Sequence, residues 1–232
     1  MVLSAHQPYF IPYLAYWQLI DTADIFLIAD DYAFMKQGWI NRNRILINGK
    51  PSYFRLEVNN QSSFRNINET ELLPINVKDK MKTIYMAYHK APYYLEGEQL
   101  MESILSYPEL NVSKFLAHSI FLICDYLGIT TPIKFTSDIP GNNSLHLEQR
   151  IYDFCEAFGA DTYVNAIGGQ ELYRYDEFTQ HGIKLKFISS CHPAYKQFGD
   201  SFVGQLSILD SIMFNSKEKL QWMLKQYTFI DE

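Results

Sequence analysis

Blocks of apolar and polar residues near the N-terminus predict a strand, a rigid polar loop, a helix and a second strand. Residues 1–5 form an apolar run of strand length. The loop that follows contains Pro8 and Pro12, which prevent a regular helix between them. Apolar residues then recur at helical spacing, and the next apolar run, residues 25–29, ends in two acids. Since ligands of parallel sheets collect where strands end, the loop and the acids are candidate site residues.

The middle of the chain predicts a hairpin followed by helices. Residues 45–47 and 53–58 have the pattern of two strands, and the segment between them begins with Asn48-Gly49, a pair that tolerates positive φ and favours tight turns. Helical patterns follow at residues 77–89, 94–105 and 113–127, the last with Ser113 as its N-cap and Gly128 as its stop.

The second half of the chain alternates strands and helices. Strands are predicted at residues 133–136, 162–166 and 183–188, and helices at 145–158, 170–180, 202–215 and 219–227. This order predicts an α/β fold with a mostly parallel sheet and helices on both faces. The sequence also predicts a small β-rich flap and a helical lid inserted after the second strand. We expect a single domain over residues 1–232, with the insertion within residues 32–110.

Composition narrows the class of protein. The chain has 232 residues, 47% of them hydrophobic and 20% charged, as soluble globular proteins do. A net charge of −6 argues against nucleic acid as a partner, and no apolar run is long enough to span a membrane. The N-terminus lacks the pattern of a signal peptide, and the three cysteines are far apart. We therefore expect a reducing compartment, the cytoplasm.

The loop after the first strand is the leading candidate for catalysis. His6 and Gln7 directly follow the apolar run and precede a rigid turn, where a histidine can hydrogen-bond to a phosphate or an oxyanion and the amide can donate or accept. The alternative is structural, with the histidine bonded to a carbonyl group of the turn.

Two adjacent acids end the second strand. Asp30 and Asp31 are candidates to bind a metal or a sugar hydroxyl. The alternative is a pair of solvated turn residues, since adjacent side chains of a strand point to opposite faces. The cofactor is left open, and Mg²⁺ accompanying a nucleotide is compatible with this pair.

A basic and aromatic segment follows. Guanidinium groups between amides suit bidentate contacts to phosphate, and a nearby indole offers a stacking face. A charged strand edge that deters aggregation would use the same residues. The substrate-binding candidates here are Lys36, Trp39, Asn41, Arg42, Asn43 and Arg44.

Two further sets lie near predicted strand and helix ends. Gly168-Gly169-Gln170 separates a strand from a helix and can hold an anion on its backbone amides, although any tight turn can require glycine.

Asp210 lies within an apolar helical run, so it needs a partner if it is buried, either an arginine or the His6 loop. We assign it as a candidate orienting acid for catalysis. His192 follows a strand end and is a further candidate to face the site.

Several common motifs are absent from the sequence. It contains no P-loop, no GxGxxG after the first strand, no HExxH and no CxxC pair. The remaining histidines lie in helical patterns, which argues against a histidine-rich metal site. They are His89, His118, His146 and His181.

Two segments, HQPYFIPYLAYWQLIDTADIFLIADD and WINRNRI, carry a family resemblance that extends through YHKAPYY, YVNAIGGQELY and LSILDSIMFN and so covers nearly the whole chain. These motifs resemble the WbqC-like family of bacterial proteins, often encoded in surface-polysaccharide and O-antigen gene clusters. Where the family often has glycine in the first helix, this chain has Ala15. The resemblance implies a role in glycan biosynthesis, and transfer of glycine to an amino sugar has been suggested for some members.

A weaker resemblance concerns the N-terminal unit alone. Its strand, histidine loop, helix and acid-ended strand are similar to the start of HIGH-motif nucleotidylyltransferases, although Pro12-Tyr13 occupies the region of the second histidine. We expect a transferase that moves an aminoacyl or similar group to a nucleotide-linked amino sugar, with a small phosphate-bearing substrate. The alternatives are a non-catalytic nucleotide-sugar binding protein and a scaffold of a glycan-assembly complex.

Overall fold

The computed structural model describes residues 1–145 and 147–231. His146, which the sequence places in a helical pattern, lies outside these residues. In chain order the strands are β1 (Val2–His6), β2 (Ile25–Ile28), β3 (Arg42–Ile47), β4 (Lys50–Arg55), β5 (Ile133–Phe135), β6 (Thr162–Ala166), β7 (Lys184–Ser190) and β8 (Tyr227–Ile230). The helices are α1 (Leu14–Thr22), α2 (Val77–Tyr88), α3 (Tyr94–Leu105), α4 (Val112–Leu127), α5 (Leu147–Phe158), α6 (Tyr175–Gln180), α7 (Ile208–Phe214) and α8 (Lys217–Leu224).

Strands β5, β2, β1, β6, β7 and β8 form one sheet in that spatial order. All neighbours are parallel except β7 and β8, which pair antiparallel. The strand β1 therefore lies between the first-half strands and the second-half strands. The predicted α/β class with a mostly parallel sheet is confirmed.

Helices cover both faces of this sheet. On one face, α1, α4, α7 and α8 pack around residues such as Phe26 and Val164 in one large apolar cluster. On the other face, α5 and α6 pack on Leu3, Tyr163 and Phe187 in a second cluster. Neighbouring residues of one strand, such as Tyr163 and Val164, belong to different clusters because side chains alternate between the two faces.

The insertion between β2 and β5 contains a separate hairpin and two helices that pack on the larger cluster. Strands β3 and β4 pair antiparallel, and Ile45 and Phe54 contribute to that cluster together with α2 and α3. Asn48 and Gly49 both have positive φ (51° and 72°), which confirms the predicted turn. Strand β4 begins at Lys50, three residues before its predicted start, because the turn is only two residues long.

Two predicted helix limits need correction. The N-cap of α4 is Asn111, whose side chain accepts from the amide of Lys114, and Ser113 lies inside the helix. The predicted stop is confirmed, since Gly128 has φ of 77°. The predicted helix 170–180 is interrupted, with a 3-10 helix over Ile167–Leu172 and α6 beginning only at Tyr175.

The C-terminal region differs most from its prediction. Only Ile208–Phe214 of the predicted helix 202–215 is helical. The last helix ends at Leu224, and Tyr227–Ile230 forms β8, an edge strand that the sequence analysis missed. Within the described ranges, no helix has the length and apolarity needed to cross a membrane.

The left-handed C-cap of α4 generates a stability prediction. Gly128→Ala is expected to cost about 1 kcal/mol or more of the free energy of unfolding, because a Cβ disfavours positive φ and would lie 2.9 Å from the Gln221 side chain. Gly168→Ala is the matched control, since this glycine has no positive φ and no atom within 4 Å of the added Cβ. Urea unfolding of both variants makes the comparison, and equal midpoints would contradict the assignment.

Candidate functional site

The carboxyl ends of the parallel strands collect polar residues at one edge of the sheet. Counted among the strands of this sheet alone, the order is 3-2-1-4-5-6, so the direction of winding reverses between β1 and β6. In doubly wound sheets, ligands bind outside the strand ends at this reversal. Gln7 follows β1 and Ile167 follows β6. The candidate site therefore begins with the loop after β1.

His6 is held by its own loop and by two aromatic rings. Its Nδ1 lies 3.0 Å from the carbonyl oxygen of Gln7, and its ring meets those of Tyr9 and Tyr16 edge-on at 4.8 and 5.2 Å. Because a carbonyl oxygen only accepts, Nδ1 carries the proton. Burial lowers the pKa of His6, with the Gln7 carbonyl opposing. The ring is therefore neutral at pH 7, and its Nε2 is a proton acceptor.

Gln7 uses its backbone and leaves its side chain available. Its carbonyl oxygen accepts from His6 and, at 3.1 Å, from the hydroxyl of Tyr16. The side-chain amide is half-buried and makes no hydrogen bond within the described part of the chain. An amide without a protein partner at this position is suited to a ligand.

The loop 8–12 is fixed through its carbonyl groups. The Asn43 amide donates to the carbonyls of Phe10 and Ile11, and the Ser207 hydroxyl donates to that of Ile11 at 2.7 Å. The Trp17 indole donates to the carbonyl of Pro12. Ile11 has φ of 40°, which is strained for a β-branched residue and persists only because its surroundings hold it.

The two asparagines of the basic segment are structural. Asn41 and Asn43 are buried, and Asn41 donates to the carbonyl of Leu56 while Asn43 holds the loop 8–12. Their predicted role in substrate binding remains untested, yet neither amide group of these side chains is free to face solvent. The asparagines connect the hairpin to the β1 loop.

The cations and the indole of that segment lie on the outer side of the hairpin. Arg42 donates to the carbonyls of Gln37 and Gly38, with its guanidinium 4.5 Å from the centre of the Tyr53 ring. Arg44 lies 5.6 Å from the centre of the Trp39 ring and donates to the carbonyl of Gln205. Lys36 is exposed.

The Nε of Arg44 is buried and has no hydrogen-bond partner among the described atoms. Arg44 therefore keeps an N–H donor that the described part of the protein does not use. The positions of Arg44 and Trp39 keep both as candidates for holding a phosphate-bearing ligand.

Asp30 and Asp31 follow the end of β2, and their carboxylates bond to helices on opposite faces of the sheet. Asp30 faces α4, where it accepts from the hydroxyl of Ser113 at 3.1 Å and from the amide and hydroxyl of Ser137. Burial raises the pKa of Asp30, and these donors oppose the rise. Asp30 therefore ties β2 to α4 and to the end of β5.

Asp31 forms a buried ion pair with Arg150 of α5. Two bonds of 2.7 Å join the carboxylate oxygens to Nη2, and both side chains are less than a tenth exposed. The guanidinium lies 4.2 Å from the centre of the Tyr32 ring, and burial raises the pKa of that phenol to about 12. Sequence reasoning missed Arg150, because nothing in a helical pattern shows which distant acid it meets.

The two acids do not fit a metal site. Every carboxylate oxygen of Asp30 and Asp31 accepts at least one hydrogen bond from the protein. Within residues 1–145 and 147–231, no three His, Cys, Asp or Glu side chains are grouped to hold a metal ion. The two carboxylates are therefore used by hydrogen bonds and an ion pair within the protein, and the described residues offer no third ligand for Mg²⁺.

Gly168, Gly169 and Gln170 lie in a 3-10 helix that directly follows β6. Neither glycine has positive φ, so backbone conformation does not require them. A Cβ on Gly169 would lie 2.9 Å from the side chain of Asn165, whereas Gly168 is open to solvent. Gly168 therefore lets a ligand approach the backbone on the β6 side of the reversal.

Asp210 is fully buried, and its partners are neither an arginine nor the His6 loop. Its carboxylate accepts from the hydroxyls of Tyr88 and Tyr195 at 3.0 and 2.7 Å, and from the Gln197 amide at 2.6 Å. The Tyr88 hydroxyl in turn accepts from the amide of Leu46 in β3. The acid joins α7 to the hairpin and α2, a structural role that does not require a ligand.

Two clefts open beside these residues. One, of only about 20 Å³, lies near the ends of β1 and β7 and is lined by residues that include Tyr13, His192 and Gln205. His192 lies 5.7 Å from the Tyr13 ring, and burial lowers its pKa. The other, of about 320 Å³, lies beside Asp31 and Ser137. Both lie at the carboxyl edge of the sheet.

The strand order defines a doubly wound α/β protein with polar residues at the carboxyl edge of its sheet. The WbqC-like protein family matches residues 7–222, and this chain belongs to that family. The uncharacterized protein Rv1507c of Mycobacterium tuberculosis (strain ATCC 25618 / H37Rv) is 26% identical over 213 residues, which cover 90% of this chain and 91% of that protein. No solved structure matches the chain.

The buried ion pair generates the second prediction. Arg150→Met is expected to cost about 3–5 kcal/mol of unfolding free energy, because Asp31 keeps a buried charge without its cation. Adding Asp31→Asn should recover part of that loss. Arg174→Met, which removes an exposed arginine paired with Asp176, is the control and should change little. A loss in the Arg150 variant no larger than in the control would show that the pair is not buried in solution.

The third prediction concerns pH. Burial raises the pKa of Asp210 above its usual value of 3.8, with bonds from Gln197, Tyr195 and Tyr88 opposing. Between the two pKa values, the folded chain keeps a proton that the unfolded chain releases, so unfolding free energy falls as pH rises. Asp210→Asn cannot titrate. The free energy of unfolding of wild type should exceed that of this variant most in acid, and the difference should shrink as pH rises through the folded pKa of Asp210. A difference that grows with pH would contradict the burial of this acid.

Proposed function

We propose that this chain is a transferase that binds a phosphate-bearing small molecule between the ends of β1 and β6. The acceptor is a nucleotide-linked amino sugar, and the transferred group is aminoacyl or similar. The observation that carries the proposal is the reversal of strand order beside the rigid His6-Gln7 loop. A scaffold would have no need to hold a strained loop at this position.

His6 acts as the general base in this proposal. The Nδ1 proton is used by the Gln7 carbonyl, and the lowered pKa keeps the ring neutral, so Nε2 accepts a proton rather than donating one. The sequence alone favoured stabilisation of negative charge by His6. The hydrogen bond to Gln7 favours proton acceptance, since a neutral imidazole has only one N–H.

In this proposal, the groups around His6 bind the phosphate-bearing ligand. The Gln7 amide and the open backbone at Gly168 lie at the two sides of the strand reversal, where hydrogen bonds to phosphate or sugar oxygens can form. Arg44 and Trp39 supply charge and a stacking face from the hairpin, with the charges of Arg42 and Lys36 nearby in the sequence. Gln170 extends the polar surface.

The chemical step follows from these assignments. The acceptor amine attacks the acyl carbon of an activated donor, a bond forms between nitrogen and carbon, and the bond from that carbon to the leaving group breaks. The proton that the amine loses goes to Nε2 of His6. Asp210 does not act on His6 directly, because its carboxylate is bonded to Tyr88, Tyr195 and Gln197 instead. It positions the hairpin and α7.

The biological setting in this proposal is bacterial surface-polysaccharide biosynthesis in the cytoplasm. It rests on the sequence resemblance and on membership of the WbqC-like protein family, and Rv1507c is itself uncharacterised. A non-catalytic nucleotide-sugar binding protein would use the same anion-binding groups without a base, so turnover separates the two.

The fourth prediction uses a variant that separates the two nitrogens of His6. In His6→Asn, the side-chain amide can still donate to the Gln7 carbonyl, but nothing replaces Nε2. Melting temperature should stay near that of wild type while transfer to an amino-sugar acceptor is lost. Gln7→Ala, which removes an unpaired side chain, should also keep its melting temperature but weaken ligand binding.

The ligand is found by a thermal-shift panel of ATP, CTP, nucleotide-sugars and acyl-coenzyme A, each with and without Mg²⁺. A ligand at about 100 times its Kd stabilises by roughly 2.7 kcal/mol, which raises melting by a few degrees in a chain of this size. A shift that disappears in Gln7→Ala supports the proposal. Failure of every compound to shift melting would contradict it and favour a scaffold.

A further inference from the structure

Charge is distributed unevenly along this acidic chain. Residues 32–56, which contain the hairpin, hold five of its 20 lysines and arginines and none of its 26 acids. This basic segment therefore carries a net charge of +5, while the rest of the chain carries −11. Such asymmetry indicates a surface for an anionic partner.

The cations of the basic segment are not neutralised by the protein. None of them forms an ion pair with a carboxylate among the residues that the structure describes. Arg42 and Arg55 lie directly opposite each other in the β3–β4 register, and both guanidinium groups contact the Tyr53 ring, at 4.5 and 5.9 Å. Like charges in this arrangement destabilise a hairpin, so the cluster is explained better by binding than by folding.

Two large apolar side chains project beside this segment. Phe64 is 98% exposed and Met35 is 55% exposed. Their segments are joined by a 2.8 Å bond from the amide of Phe34 to the carbonyl of Arg65. Lys36 and Arg65, both exposed, stand next to the two apolar residues in sequence. We call Met35, Lys36, Phe64 and Arg65 the basic-apolar tip.

The tip is continuous with the hairpin. The amide of Gly38 donates to the carbonyl of Met35 at 3.2 Å, and the carbonyl of Gly38 accepts from Nε of Arg42. One surface therefore extends from the tip through Arg42 to Tyr53 and Arg55. It joins exposed apolar groups to cations that form no ion pair within the described residues.

We propose that this surface docks on an anionic lipid bilayer. Phe64 and Met35 enter the boundary between headgroups and acyl chains, while the cations of the tip and the hairpin contact lipid phosphates. A soluble phosphate ligand would use the cations alone and would leave Phe64 in water. The apolar residues therefore favour a membrane surface over a free phosphate.

The negative remainder of the chain does not prevent this docking. At physiological ionic strength, charges are screened over about 8 Å, so the surface nearest the lipid dominates the attraction. The opposite charge of the rest of the chain orients the molecule with its hairpin towards the bilayer. His6 and Gln7 are not part of the docking surface. Lys36 and Arg42 are shared with the proposed ligand site, so the test changes only Met35, Phe64 and Arg65, which the proposed transferase activity does not use.

The test is co-sedimentation with phosphatidylcholine vesicles, with and without phosphatidylglycerol. The full chain should bind the anionic vesicles and release from them as salt is raised, with little binding to neutral ones. Met35→Ser combined with Phe64→Ser should weaken binding about tenfold, as loss of two inserted apolar side chains requires. Arg65→Glu should weaken it as well. All three changes lie at exposed positions and should leave melting temperature unchanged.

Leu95→Ser is the matched control, since this residue of α3 is 66% exposed and lies outside the surface. It should bind as wild type does. The inference is overturned if wild type does not prefer anionic vesicles, or if the tip variants bind as well as the control. Complete displacement from vesicles by soluble glycerol phosphate would also overturn it, because that result identifies a site for free phosphate.

Discussion

Three consecutive carbonyl groups in the loop after β1 accept hydrogen bonds from distant parts of the chain. Asn43 of the hairpin donates to those of Phe10 and Ile11, and Ser207 at the start of α7 donates to that of Ile11. The indole of Trp17 donates to the next carbonyl. Because these bonds hold Ile11 at positive φ, they fix the direction in which the chain leaves His6 and Gln7. The geometry of the candidate site depends on this clamp.

The clamp also explains why polar residues recur in parts of the chain that are otherwise apolar. Asn43 is buried in β3, where its amide bonds to the loop. Asp210 is buried in α7, where Tyr88 connects it to α2 and the hairpin and Tyr195 connects it to the segment after β7. The hairpin is thus attached to the sheet through hydrogen bonds as well as apolar packing. The cations on the outer face of the hairpin form no ion pair within residues 1–145 and 147–231.

Local chemistry made much of the fold predictable from sequence. The Asn48-Gly49 turn and the stop at Gly128 were predictable because positive φ selects particular residues. The edge strand β8 was not, since its pairing with β7 is a tertiary contact that short apolar runs do not encode. The same limit applies to the site. Its His6 loop was predictable from the two prolines. Asp31 and Arg150, by contrast, are 119 positions apart in the sequence, and their pairing depends on the packing of α5 on the sheet.

The central claim is that a phosphate-bearing ligand binds at the reversal between β1 and β6. The most direct test is a crystal structure of the chain with the nucleotide or nucleotide-sugar that raises its melting temperature most. The account predicts that the ligand contacts the Gln7 amide and the backbone at Gly168, with its reacting group next to Nε2 of His6. A ligand that binds only in the cleft beside Asp31 and Ser137, away from His6 and Gln7, would contradict it.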